Sequence, residues 1–268
     1  DTQPIKRTVT IRSPLSVGLF AGKWCSYAAT PDLPHDQREE DGGALVFTSP
    51  PLEEPLEILG AAQVSLTVAS DQPVAMVAIR LSDVAPDDKA TRVTYGLLNL
   101  THRESHEQPT VLEPGRAYPV TLRLNDVAYA FPVGHRIRLS LSTSYWPLAW
   151  PPPHPVRLSI RTGDSDLLLP IRPLAPAEDP SIRFSEAEGA PPTPTRLLTE
   201  KEHNLRVIRD LAKDESVLEV INNNGTVYLE EIALAMQRKA LEWYRYQGDD
   251  FNSVRGETLW ERGFRRGD

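Results

Sequence analysis

Apolar residues fall at every second position in run after run along the first two-thirds of the chain. Val64, Leu66 and Val68 share one side of a run with polar residues between them, and Val77, Ile79 and Leu81 do the same in the next. Val120, Leu122 and Leu124 repeat the pattern, followed by Ile137, Leu139 and Leu141, then Val156, Leu158 and Ile160. A period of two with interleaved polar residues predicts strands that bury one face. The run RVTYGLLNL changes phase, because Val93, Tyr95 and Leu97 give way to Leu98 and Leu100. A bulge near Gly96 is the expected cause. Turn-forming groups separate the runs: APDDK at 85–89, LEPGR at 112–116 and FPVGH at 131–135. No strand–helix alternation occurs before residue 195, so the expected class is mainly β, an antiparallel sandwich.

Past the sandwich the pattern breaks. Residues 173–196 are rich in proline and acid and lack apolar periodicity, which predicts a linker. Beyond it, RVIRDLA and SVLEVINNNGTVYLEE read as strands around a turn at Asn224–Gly225. Residues 229–247 suit either state: their Ala, Leu, Glu, Met and Lys favour helix, whereas EWYRY alternates like a strand. The chain starts at Asp1 and stops at RGFRRGD without a closing turn, so a fragment or processed product is expected, with an incomplete C-terminal extension.

Composition narrows the function classes. The 268 residues are 40% hydrophobic and 25% charged, the balance of an ordinary globular protein. A formal charge of −8 argues against nucleic acid as a partner, since phosphate binding needs clustered Lys and Arg. No apolar run approaches the roughly 18–20 residues of a membrane span, so no membrane association is expected. Cys25 is the only cysteine, which rules out an intrachain disulfide and suits a reducing, cytoplasmic setting. The 25 prolines exceed the usual share of about 5%, and they stiffen the connections between short strands.

Several groups resemble active-site chemistry. His102, Glu104 and His106 would project to one face about 6–7 Å apart if the preceding strand continued, and two histidines can hold a metal given a third ligand. Their order is HxExH rather than the HExxH of zinc proteases, and Gln108–Pro109 follows, so a loop is expected. Ser165 in GDSD could be a nucleophile only with a base and an oxyanion hole around it, whereas Gly163 and Asp164 suit a tight hairpin turn. Asp83, Asp87 and Asp88 could hold calcium, but they lack the spacing of an EF-hand loop and read as a solvated turn. Aromatics gather at Tyr145, Trp146 and Trp150, and again at Phe20, Trp24 and Tyr27. Tyr145 and Trp146 are consecutive, so on one strand they could not both point inward; pocket, partner surface and core all remain open for them.

Landmarks further along point to a family. They are PLEEPLEILG at 51–60, DVAPD at 83–87, LEPG at 112–115 and VGHRIRLSLS at 133–142, where Val133 stands in place of a usual proline. Residues 38–172 resemble the C-terminal domain of X-Pro dipeptidyl-peptidases, found also in cocaine esterase and α-amino-acid ester hydrolases. Residues 13–37, especially SVGLFAGKW, resemble the lead-in of one bacterial branch, so residues 1–37 are expected to form a lead-in segment. Residues 197–268 resemble that branch's C-terminal extension, which normally continues further.

The resemblance implies a jelly-roll sandwich of galactose-binding-like topology packed on an α/β-hydrolase domain. It places the Ser-Asp-His triad upstream, so no catalytic residue, metal or cofactor is expected on this chain. It also assigns His135 and residues 101–103 to strand positions. Phe20, Trp24, Tyr145 and Trp146 become candidates for a pocket or domain interface, and an uncovered partner face is expected to drive homo-oligomers. The leading expectation is a non-catalytic module of a serine hydrolase. The alternative is a free-standing carbohydrate- or ligand-binding jelly roll that uses an aromatic platform at Trp146.

Overall fold

The structure, a computed structural model, describes residues 7–24, 32–172 and 183–267. Two compact units divide the chain: Asp1–Pro173 with Gly248–Ser253, and Leu174–Gln247 with Val254–Asp268.

In the first unit the alternating runs become strands. They are β1 (Thr8–Ile11), β2 (Leu45–Thr48), β3 (Leu56–Gly60), β4 (Gln63–Ser70), β5 (Met76–Val84), β6 (Ala90–Asn99), β7 (Ala117–Arg123), β8 (Val127–Phe131), β9 (Arg136–Ser142), β10 (Leu158–Arg161) and β11 (Asp166–Leu168), with one short helix, α1 (Arg38–Asp41). One sheet centres on β4, with β7 along one edge and β10 and β11 end to end along the other; β1 lies outside β10. The second sheet runs β2-β9-β5-β6, and β3 pairs with β8. Val64, Leu66, Val68, Val120, Leu122 and Ile160 of the first sheet share one buried cluster with Val77, Ile79, Leu81, Leu139 and Leu141 of the second. Each such side chain contributes about 1.5–3 kcal/mol by leaving water, so the period-two pattern is the main source of the sandwich.

The phase slip has a different origin from the one expected. Leu81 pairs with Thr94 and Ser82 with Arg92, which puts the extra residue at Val93 rather than Gly96. Gly96 answers a packing demand, since a Cβ there would stand 2.9 Å from the Leu124 side chain. Two apolar phases appear because both faces of β6 are covered: Leu98 joins the sandwich core, while Tyr95 and Leu97 pack on an outer cluster.

GDSD is not a hairpin either. β10 and β11 both pair antiparallel with β4, and a single 3-10 turn at 162–164 connects them along one line. The Ser165 hydroxyl donates to the Arg161 carbonyl and accepts from the Thr67 amide, filling the gap in the ladder.

At APDDK the predicted turn forms, with the Asp88 amide bonded to the Ala85 carbonyl. Its carboxylates do not converge. Asp88 pairs with Arg136 and Asp87 caps the Lys89 amide, whereas buried Asp83 accepts the Tyr129 hydroxyl and faces His135 Nδ1, each at 2.8 Å. Burial first, and then the adjacent Asp83 carboxylate, push the Tyr129 phenol up to about 12. Its folded value lies above the unfolded one, so this contribution to stability is complete below about pH 10 and is lost as pH rises through about 12. A spectrophotometric tyrosine titration should therefore show a late step that Tyr129→Phe diminishes by one phenol.

The second unit is one antiparallel sheet of β12 (Thr195–Thr199), β13 (Glu202–Asp210), β14 (Glu215–Leu229), β15 (Leu234–Gln247) and β16 (Arg255–Arg266). β14 is its hub: β12 and β13 share one edge of it, β15 takes the other, and β16 lies outside β15. Residues 234–247 are thus strand. Their long pairing with β14 and β16 overrides helix propensity, as tertiary context commonly does.

Asn224–Gly225 is a bulge, not a hairpin turn. β14 continues through it, and its neighbour switches there from β13 to β12. Gly225 has φ +66°, and a Cβ would lie 2.2 Å from the Thr199 carbonyl oxygen, so glycine is required at the switch. Of the predicted linker, 173–182 lies outside the described residues. Residues 183–194 are exposed and irregular, and 195 begins β12.

Candidate functional site

The outer face of the second sheet carries polar and charged residues where a solvated sandwich would leave them in water. Arg80 and Ser140 pair directly across β5 and β9, and Ser82 pairs with Arg138. Arg80 is 0% exposed. The segments before β2 and after β9 cover this face, and their apolar residues Val17, Ala21 and Tyr145 cluster with Met76 and Ala78 of β5.

The cover is fixed by hydrogen bonds. Ser13 and Thr143 exchange amide-to-hydroxyl bonds of 2.9 and 3.0 Å. The buried Glu40 carboxylate on α1 accepts the amides of Gly18 at 2.6 Å and Phe20 at 2.7 Å. Burial pushes the Glu40 carboxyl above its ordinary range, against the pull of the Arg80 guanidinium and the two amides. Arg80 donates to Gln37 Oε1 and to Asp41 Oδ1, both at 3.1 Å. Asp41 also accepts from Arg138 at 2.9 Å and Ser140 at 2.7 Å. Buried charges survive only when paired and bonded in this way.

The four aromatic candidates divide. Tyr145, 0% exposed, and Trp146, 1% exposed, lie in the core of this layer. They follow β9 in irregular backbone rather than on a strand, so strand alternation does not constrain them and both turn inward. Arg92 holds the Tyr145 hydroxyl at 2.8 Å, and burial raises that phenol. Trp146 has no face left for a sugar, so the expected platform is absent there. Phe20 is half-buried, edge-on to His35 with ring centroids 6.5 Å apart. Only Trp24 stands free, at 77% exposure.

Trp150, grouped in the sequence with Tyr145 and Trp146 but not among the four candidates, is the member of that group that reaches solvent. It is 66% exposed, and its ring meets Trp146 edge-on at 4.9 Å. With Met76, Leu97 and Pro151–Pro153 it lines a groove of roughly 320 Å³. The prolines of WPLAWPPPHP are the signal that could have found it, because they stiffen the chain that lines the groove beside the ring. Tyr27 and Cys25 lie outside the described residues.

The chemistry-like motifs do not assemble. His102 ends a 3-10 turn past β6, its ring 5.4 Å from that of His106, and Glu104 turns to Arg103. Among the described residues no group of three or more potential metal ligands forms. The Asp83–His135 pair has a relay-like geometry, but the second oxygen of Asp83 holds the Tyr129 phenol, which makes the trio a brace between β5, β8 and the start of β9. The site therefore offers an apolar aromatic surface on a rigid, charge-locked base.

Comparison with known proteins gives one coherent result. Residues 4–208 match the family described as X-Pro dipeptidyl-peptidase C-terminal non-catalytic domain. Cocaine esterase of Rhodococcus sp. (strain MB1 Bresler) is 30% identical over 116 residues, 42% of this chain and 20% of that protein. A putative Xaa-Pro dipeptidyl-peptidase of Bacillus cereus is 28% identical over 167 residues, 60% of this chain and 28% of its own length. Among solved structures, a selenomethionine-labelled α-amino acid ester hydrolase aligns with TM-score 0.54 at 22% identity, over 62% of this chain and 32% of that one. An aminopeptidase of a marine sediment Thaumarchaeota archaeon aligns with TM-score 0.53 at 20% identity, over 64% and 34%. These two show the shared fold. The matched part of each curated relative is less than a third of its length.

Proposed function

The chain belongs to the family of X-Pro dipeptidyl-peptidase C-terminal non-catalytic domains, and from that premise we propose that it is the β-sandwich module of a serine hydrolase of the dipeptidyl-peptidase or acyl-esterase type. In this reading it is a jelly roll that docks on the enzyme's α/β-hydrolase domain and helps to hold the cap and acyl pocket in place. The carrying observation is the contrast within one layer: Tyr145 and Trp146 are sealed in, while Trp24 and Trp150 are presented to solvent. Large exposed aromatics on a rigid base are the composition of an interface centre. The buried Arg80–Asp41 lock supplies the rigidity, fixing the surface before any partner arrives.

Two measurements test the reading. The 268-residue chain alone should show no hydrolysis of esters or X-Pro amides above buffer; turnover abolished by a serine-directed reagent would sink the non-catalytic assignment. Supplied with the α/β-hydrolase domain of its parent polypeptide, it should form a complex. Trp24→Ser with Trp150→Ser should weaken that complex about 10-fold or more, as loss of an aromatic anchor does. Undiminished affinity in the double variant would move the interface elsewhere.

A further inference from the structure

The opposite side of the sandwich carries a groove of a different character, and it lies outside the docking role proposed above. It runs over the outer face of the first sheet with a volume of about 460 Å³. Ala117, Ala69 and Ser159 sit in register across β7, β4 and β10, giving a floor of small side chains. Arg157, Ser159 and Arg161 alternate along one side, so two guanidiniums bracket a serine with Cα atoms on the order of 13 Å apart. Thr8 lies directly across from Arg161. Asp71 closes one end; one of its carboxylate oxygens accepts the Arg157 amide at 2.9 Å.

The two arginines are unlike most others of this unit. Arg80, Arg116, Arg123, Arg136 and Arg138 each pair with a carboxylate. Among the described residues Arg157 and Arg161 make no such pair, although the chain holds 37 acidic residues against 29 Lys and Arg. Both are exposed and line the same groove. Unpaired guanidiniums over a hydroxyl-bearing floor are suited to carboxylates.

We propose that this face binds an acidic oligosaccharide, with uronate carboxylates on Arg157 and Arg161 and sugar hydroxyls against Thr8, Ser159 and Asp71. Three features select this ligand. β4, on the groove's floor, has neighbours along both edges, so a peptide lying over the floor finds no backbone ladder to join there. No aromatic ring lines the groove, so a neutral sugar has nothing to stack on. The floor is shallow and hydroxyl-bearing, which gives an acyl chain no apolar depth.

The test is a calorimetric titration of the chain with a galacturonate oligomer, alongside the neutral galactose oligomer of the same length and an oligoglutamate of the same charge. The galacturonate oligomer should bind, and added salt should weaken it. Arg157→Gln and Arg161→Gln should each cost roughly 5–10-fold, and the pair should abolish binding, with thermal stability unchanged because both side chains are exposed. No binding at millimolar oligomer, equal binding of the neutral sugar, or full affinity in the double variant would overturn the proposal. Equal binding of oligoglutamate would overturn the assignment to sugar.

Discussion

Arg80→Met should destabilise the first unit by about 3–5 kcal/mol, the cost of breaking a buried ion pair from one side. The guanidinium is 0% exposed and lies 3.1 Å from Asp41 and 3.9 Å from Glu40, whose side chain is equally buried. Methionine fills much of the space but leaves two carboxylates facing it. Asp41 keeps Arg138 and Ser140. Glu40 keeps only the Gly18 and Phe20 amides among its hydrogen bonds, and it loses the strongest influence opposing its burial.

The sign of the pH dependence follows. Glu40 is raised in the folded state, so its contribution favours folding below the unfolded carboxylate range and fades as pH rises through the folded value. Removing Arg80 raises that folded value further, so the defect should be smallest near pH 5 and widen by about pH 8. Urea midpoints at both values check this. Glu40→Gln in the same background should restore part of the loss at the higher pH. A gap independent of pH would mean that Arg80 acts through packing alone.

What the sequence revealed and concealed divides along one physical line. Alternation reports a face buried against its own sheet partner, and from it the strands around Val64–Val68, Val77–Leu81 and Leu139–Leu141 were legible. It says little about a face covered by irregular chain. Arg80 and Ser82 read as the solvent side of a strand, yet both are fully buried, beneath residues such as Val17, Glu40, Asp41 and Tyr145 that lie before β2 and after β9. Tyr145 and Trp146 were legible as important but not as buried, because they lie past the end of β9, where strand alternation no longer sets which way a side chain turns. Trp150 was legible as part of the aromatic group but not as its exposed member, because exposure depends on what the neighbouring chain leaves open.

Turn signals carried a similar ambiguity. Clusters of Gly, Pro, Asn and Asp mark a backbone kink, and APDDK, LEPGR and FPVGH became turns. GDSD and Asn224–Gly225 became a jog and a bulge within continuing ladders. All draw on the same turn-forming residue types; the difference lies in whether a long partner strand, β4 or β15, spans the kink. Residues 229–247 follow the same logic, since only the register with β14 and β16 decides between strand and helix.

Gly18→Ala is expected to cost about 2–5 kcal/mol and to do so by lifting the lead-in segment off its base. Gly18 has φ +121°, a conformation that L side chains rarely adopt. A Cβ there would stand 2.2 Å from the Trp146 carbonyl oxygen and 2.7 Å from both the Trp146 nitrogen and the Tyr145 carbonyl carbon. All three are backbone atoms, so no rotamer change relieves the clash, and the Gly18 amide must leave Glu40 as the chain withdraws. Gly134→Ala is the control: its φ is +79°, but a Cβ there meets nothing within 4 Å, so only the backbone term of about 1–2 kcal/mol applies. In Gly18→Ala, Trp146 fluorescence should shift to the red and proteases should cut within residues 13–24, while amides of β4, β5 and β9 keep their exchange protection. Because the lead-in that carries Trp24 meets Tyr145 and Trp146 at this contact, binding to the proposed hydrolase partner should fall as the lead-in lifts. A variant with native fluorescence and native protease resistance would show that the segment does not rest on Tyr145 and Trp146, and with that the rigid aromatic surface would lose its foundation.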